Sequence, residues 1–223
     1  MKGLRLGLVV VLGVALVAAC TASEGSNPTG SGSGAPAGSP SGSGGGFDTV
    51  AAERYCTDQG GQLVDRIAAW NTNADPSQWL ELAGRMRLCE FEMGQGDTAT
   101  RISVDLVTLY SEEPTLAGLA YLSKVPVSFP TTGANPAAYN CMEGLAGTSQ
   151  FGNTPGSGGG WTDKTQPVFV VMSLCMFADG SAIDEWGITY YANGDVRGAD
   201  LATKMRYTPT DPLPAVFVPA GGS

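Results

Sequence analysis

"MRLCEFEM", residues 86–93, and "MSLCMFAD", residues 172–179, carry the same element, L-C-x-F, at two places in one chain. What precedes each is also alike. "AAERYCTDQGGQLVD" (51–65) stands before the first and "NPAAYNCMEGLAGTS" (135–149) before the second. In both, a short helix-forming stretch with an aromatic residue carries a cysteine, and glycine follows within a few positions. Cys56, Cys89, Cys141 and Cys175 are separated by 33, 52 and 34 residues, so the outer intervals nearly match. After each L-C-x-F comes a further apolar string, "RISVDLVTLY" (101–110) and "AIDEWGITYY" (182–191), both expected as strands and both ending in tyrosine. A repeat of this kind determines the architecture. The expected fold is α+β: two related disulfide-closed units, residues 47–125 and 126–223, each a short helix plus antiparallel strands.

Local signals fill in the units. Asp48 or Thr49 can cap the first helix, with Gly60 ending it. Asn135 before Pro136 starts the equivalent helix, and Gly144 stops it. Asp75-Pro76-Ser77-Gln78 has the spacing of a helical turn. "EEPTLAGLAYLSK" (112–124) reads as a helix and "VPVSFPTTGA" (125–134) as an extended linker. Around Cys89 the apolar phase switches from Leu82, Met86 and Leu88 to Cys89, Phe91 and Met93, which suggests a bulge at 88–89. "PVFVVMSLCMF" (167–177) is apolar on both faces, as a central strand would be. The tail from Tyr207 has four prolines and is expected to be extended, with a last strand at Ala215–Val218.

The chain opens with MKGLRLGLVVVLGVALVAAC. Two cations, an apolar run and small residues mark 1–19 as a secretory signal. Val17-Ala18-Ala19-Cys20 resembles the lipobox of bacterial lipoproteins, which implies cleavage before Cys20 and its acylation. Residues 20–46 then form a Gly/Ser/Pro tether too poor in apolar side chains to order itself, with a span of roughly 25–30 Å. The expected location is the bacterial cell membrane, lipid-anchored and outside the cytoplasm. Removing Lys2 and Arg5 from 12 basic residues leaves 10 against 21 acidic ones, a net charge near −11. That charge repels nucleic acid and anionic headgroups, so the membrane is reached through the lipid alone.

In an exported chain, four separated cysteines point to disulfides. Four cysteines allow three connectivities, and the repeat favours Cys56–Cys89 with Cys141–Cys175. Each bridge would close a loop worth about 3 to 4 kcal/mol in the chain-entropy model. The chain has no histidine, which excludes Ser-His and Cys-His nucleophiles and His-ligated metals. No cofactor, metal site or catalytic residue is expected.

The paired units resemble a small cysteine-paired domain of unknown function in bacterial lipoproteins labelled as hemolysins. Its pattern runs A-N-P-[AS]-x-x-C-x-x-x-G-G, then C-x-F-x-D-G-[ST]-x-C-[DE]-E-W. Ala134 to Ala137, Cys141, Cys175, Phe177, Asp179 to Ser181 and Asp184 to Trp186 carry the likeness. Ile183 stands where that family tends to have a further cysteine, and the first unit lacks the D-G and E-W elements. The resemblance implies a small α+β module and no defined chemistry.

"LCMFADGSAIDEWG" (174–187) holds the densest set of candidate binding residues, Asp179, Asp184, Glu185 and Trp186, with Tyr190 just beyond. Asp179-Gly180 between apolar strands is a hairpin signal. On a return strand Asp184 and Trp186 would share one face and Glu185 the other, with Trp186 in the core. D-G-S-A-I-D-E lacks the alternating ligands of a calcium loop. "GNTPGSGGGW" (152–161) lacks the G-K-[ST] of a phosphate loop, and reads as a surface loop with Phe151 and Trp161 as aromatic anchors for a partner. The functional expectation is a non-catalytic binding or protease-inhibitor-like module whose partner is an envelope protein, a protease or a cell-wall glycan. The alternative is a carboxylate-dependent envelope hydrolase, which needs two carboxyl groups facing each other about 5 to 10 Å apart. Lipidation at Cys20 predicts that cells fed radiolabelled palmitate yield a labelled wild-type chain that partitions with membranes. Cys20→Ala should remove both the label and the partitioning.

Overall fold

The computed structural model describes residues 46–127, 133, 135–151, 158–163, 171–210 and 213. The signal, Cys20, nearly all of the tether, much of the 125–134 linker, most of the 152–161 loop and the strand expected at 215–218 lie outside the described residues. From residue 46 onward the described residues form one compact unit of mixed helix and antiparallel sheet.

Asp48 accepts the Ala51 amide at 3.0 Å and starts helix α1, Thr49–Asp58. The chain turns out of it through Gly60 at φ +84°, a left-handed conformation that glycine adopts at little cost. Strand β1, Gln62–Trp70, follows, then a single helical turn at Pro76–Gln78 capped by Asp75. Strand β2, Leu80–Met93, pairs with β1 and with β3, Thr100–Asp105. Helices α2, Leu106–Tyr110, and α3, Leu116–Ser123, come next. Asn135 caps α4, Pro136–Tyr139, which runs on as a π turn through Asn140–Gly144. Strand β4, Thr148–Gln150, pairs with β7, Leu174–Met176, which pairs with β8, Ala182–Asp184. Strands β5, Gly159–Thr162, and β6, Val171–Met172, form a separate antiparallel pair on β1.

Both expected disulfides are present, Cys56–Cys89 and Cys141–Cys175, with Cα atoms 5.8 and 5.6 Å apart. A glycine lies under each. A Cβ on Gly61 would stand 2.4 Å from Cys89 Sγ, and one on Gly147 would stand 2.6 Å from Cys175 Sγ. Neither position could take a side chain without moving the bridge.

The strand order is β4-β7-β8-β3-β2-β1-β5-β6. Strand β6 ends at Met172 and β7 begins at Leu174, so Ser173 alone joins the far end of that order to its near end. The sheet therefore curls until it meets itself, a barrel-like closure from which β4 stands off as a flap on β7. "PVFVVMSLCMF" is thus not one central strand. Among its described residues it breaks at Ser173, the first part pairing with β5 and the second with β4 and β8.

Closure gives the sheet two buried faces. Cys89, Phe91, Ile102, Val104, Cys175 and Ile183 pack outward against Ala52, Leu109, Ala120, Ile188 and other helix residues. Ala68, Leu88, Trp161, Met172 and Leu174 pack on the opposite, inner face. The phase switch in β2 has this cause, and no bulge exists at 88–89, where pairing to both neighbours is continuous. The register shift falls instead where Ala68 of β1 faces residues 82–84.

The strings expected as third strands each prove to be a strand followed by a helix. Asp105 accepts the Thr108 amide at 2.9 Å and begins α2. Asp184 accepts the amides of Trp186 and Gly187 at 2.8 and 3.0 Å and begins α5, Glu185–Ala192. An aspartate at the N-cap satisfies amides that a strand would have to pair elsewhere, which outweighs the β-branched content that follows. Strands β3 and β8 then meet through a single antiparallel pair, Val104 with Ile183.

Gly61→Ala and Gly147→Ala should each lower the urea midpoint, by about 1 to 3 kcal/mol of overpacking. The cost of Gly61→Ala should shrink in a Cys56→Ala/Cys89→Ala background, because the crowded sulfurs are gone. Equal costs in the two backgrounds would show that the glycine is not needed by the bridge.

Candidate functional site

The inner face carries charge as well as apolar side chains. Arg66 is 1 % exposed and donates to Glu90 Oε2 at 2.5 Å. The same oxygen accepts the Ser103 hydroxyl at 2.8 Å, and Arg101 Nη1 lies 4.0 Å from Oε1. A buried ion pair persists only where further hydrogen bonds satisfy it, and Ser103 supplies one.

Asp184 continues this cluster. It lies opposite Leu174 in the β7–β8 ladder and so belongs to the inner face. Its Oδ1 accepts the two α5 amides, and the residue lines a cavity of about 290 Å³. Ala99, Thr100 and Arg101 at the start of β3 and Val171 and Met172 of β6 also line it. Trp186 and Tyr190 from α5 complete it together with Arg197. The Arg197 guanidinium sits 4.0 Å over the Tyr190 ring, and the Trp186 and Tyr190 centroids are 5.6 Å apart. The mouth of a β-barrel is a common place for a ligand site.

Burial pushes the Asp184 carboxyl up to about 6. The Gly187 and Trp186 amides and the Arg66 charge pull against that rise, and Glu90 adds to it. Burial also pushes Glu185 up to about 7, with the Asp184 charge adding to the shift. The Ser149 hydroxyl is near enough to oppose it. Neither that hydroxyl nor either Glu185 oxygen completes a hydrogen bond among the described residues.

Of the six candidate binding residues, the structure brings three to this cavity: Asp184, Trp186 and Tyr190. Trp186 is 38 % exposed at the rim, not in the core, because the helix turns it away from the position a strand would have given it. Glu185 is fully buried at the first turn of α5 and does not line the cavity. Asp179 serves the hairpin and a helix end, accepting the Leu116 amide at 2.8 Å and the Ser181 amide at 3.0 Å. Trp161, expected at the surface, is 5 % exposed and packs edge-on to Phe151 inside the sheet. Gly84 gives its ring room, since a Cβ there would stand 3.2 Å from Trp161 Cη2.

Sequence reasoning missed Arg66, Glu90, Arg101 and Arg197. Arg101 and Ser103 alternate with Ile102 and Val104, a signal that two polar side chains share a face. Nothing local to Arg197 points to the cavity. Among the described residues, no group of three or more Cys, Asp or Glu is placed to hold a metal, and no helix is long and apolar enough to cross a membrane. No family model, curated protein or solved structure matches the chain.

A buried acid whose carboxyl is raised holds its proton more tightly folded than unfolded. It therefore contributes stability at low pH that is lost as pH rises through about 6 for Asp184 and about 7 for Glu185. Urea unfolding should show stability falling between about pH 4 and about pH 7. Glu185→Gln should flatten the upper part of that slope, and an unchanged slope would remove Glu185 as its source.

Proposed function

We propose that the chain is a lipid-anchored lipoprotein of the bacterial cell envelope, built from a duplicated cysteine-paired module, that acts by binding a ligand in the barrel-mouth cavity. The observation that carries the binding reading is the make-up of that cavity. It combines two arginines, a half-exposed tryptophan and a tyrosine with Asp184 at its floor.

The duplication is supported by correspondences that run through both halves. Helix α1 matches α4, and β1, β2 and β3 match β4, β7 and β8. Gly61 and Gly147 underlie equivalent bridges, and the Gly61 and Gly147 amides donate to Cys56 and Cys141 carbonyls at 2.9 and 2.8 Å. Asp105 and Asp184 follow Val104 and Ile183, the residues that pair with each other, and both cap a helix. Strands β4-β7-β8 and β3-β2-β1 therefore read as one unit and its rotated copy, with β5 and β6 as an insertion in the second. The export reading rests on residues 1–20 and on two disulfides, which persist in oxidising compartments.

Binding is favoured over carboxylate hydrolysis because Asp184 is the one carboxylate among the described residues lining the cavity. Glu90 beneath it is already held by Arg66 and Ser103. An envelope protein, a protease or a cell-wall glycan would each meet the same surface. Immobilised full-length chain should retain a component of the solubilised envelope fraction, and Trp186→Ala should retain at least about ten-fold less of it, as loss of an aromatic anchor implies. Equal retention by wild type and variant would move the site elsewhere, and no retention by wild type would end the binding reading.

A further inference from the structure

Of the charged residues that line the cavity, Arg101 and Arg197 stand against Asp184 alone, two guanidiniums against one carboxylate. Arg66, outside the lining, pairs with Glu90 at 2.5 Å. Arg101 has a carboxylate oxygen only at 4.0 Å, on a residue whose other oxygen is already taken twice. Among the described residues Arg197 makes no ion pair, and its guanidinium lies over Tyr190. The lining itself therefore carries more guanidiniums than carboxylates, in a chain whose net charge is −9. Unneutralised cations in a concave, partly apolar site attract an anion, because the low-dielectric walls strengthen the attraction. Arginine also presents paired N–H donors that match a carboxylate.

The remaining walls describe the rest of the ligand. Trp186, 38 % exposed, lines the cavity together with Val171 and Met172, so the body that enters it is at least partly apolar. A volume of about 290 Å³ sits at the small end of ligand pockets, which excludes a long polymer segment from the interior. We propose that the cavity binds a single ring-borne carboxylate, its charge held by Arg101 and Arg197 and one ring face covered by Trp186. This rests on the cavity-binding reading above and names the ligand class for it. Such a group is found on acidic sugar residues of envelope glycans and on free aromatic acids.

The test is titration calorimetry on the full chain purified in detergent, with glucuronate and benzoate as probes and glucose and benzyl alcohol as their neutral counterparts. Saturable binding of at least one carboxylate, about ten-fold or more tighter than its neutral counterpart, is expected, since a charge-assisted hydrogen bond contributes at least that factor. Arg197→Gln and Arg101→Gln should each weaken it by a similar factor. Arg197 lies outside the packed core, so retained unfolding cooperativity in Arg197→Gln keeps the result interpretable even if Arg101→Gln folds poorly. A preference for glucuronate assigns the source to glycan, and a preference for benzoate assigns it to free aromatic acids; both support the proposal. Equal binding of charged and neutral rings overturns it while leaving the cavity reading intact. Absence of binding by either carboxylate overturns it as well, and retention of an envelope component by the immobilised chain then decides the broader reading separately.

Discussion

Strands β3 and β8 touch through one residue pair, Val104 with Ile183, and this is one of two seams at which strands from the two halves of the chain pair, the other being β1 with β5. One ladder pair is a weak link, and Asp105 reinforces it by reaching across to accept the Ala182 amide at 2.7 Å. The same carboxylate accepts the Thr108 hydroxyl at 2.6 Å and the Thr108 amide at 2.9 Å, so one side chain closes the seam and starts α2. Its burial raises the carboxyl, and those donors oppose the rise. The apolar pair on the helix-covered face and the aspartate beside it hold β3 and β8 at the spacing that puts Arg101 and Asp184 on one cavity.

Asp184 stands at the matching place in β8 and has a different set of neighbours. Its Oδ1 takes the two amides of its own helix, as an N-cap should, and among the described residues no β3 amide donates to it. Where Asp105 joins β3 to β8, Asp184 caps its helix and lines the cavity.

Much of this was legible locally. Asp48, Asp75 and Asn135 announce helical turns because a cap needs only its own side chain and the next few amides. The cysteine pairing was legible because the spacing recurs, and Asp179-Gly180 because a tight turn demands positive φ, found at Gly180 as +82°. The closure of the sheet was not, because it depends on β6 and β7 taking different partners on either side of Ser173. The two apolar phases around Cys89 did register in the sequence, but a strand buried on both faces and a bulged strand leave similar patterns. Trp161 and Trp186 were exchanged for the same reason: which tryptophan is inside depends on the pairing of β5 with β1 and on the helix that starts at Asp184.

Curling the sheet until β6 and β7 are neighbours in the chain has a further result. An open sheet ends in rows of unpaired amides and carbonyls that can recruit strands from another molecule. Here the described sheet ends in β4 and β6, three and two residues long, both too short to template a second chain. A wrapped sheet with such short margins offers another copy of the chain little to pair with.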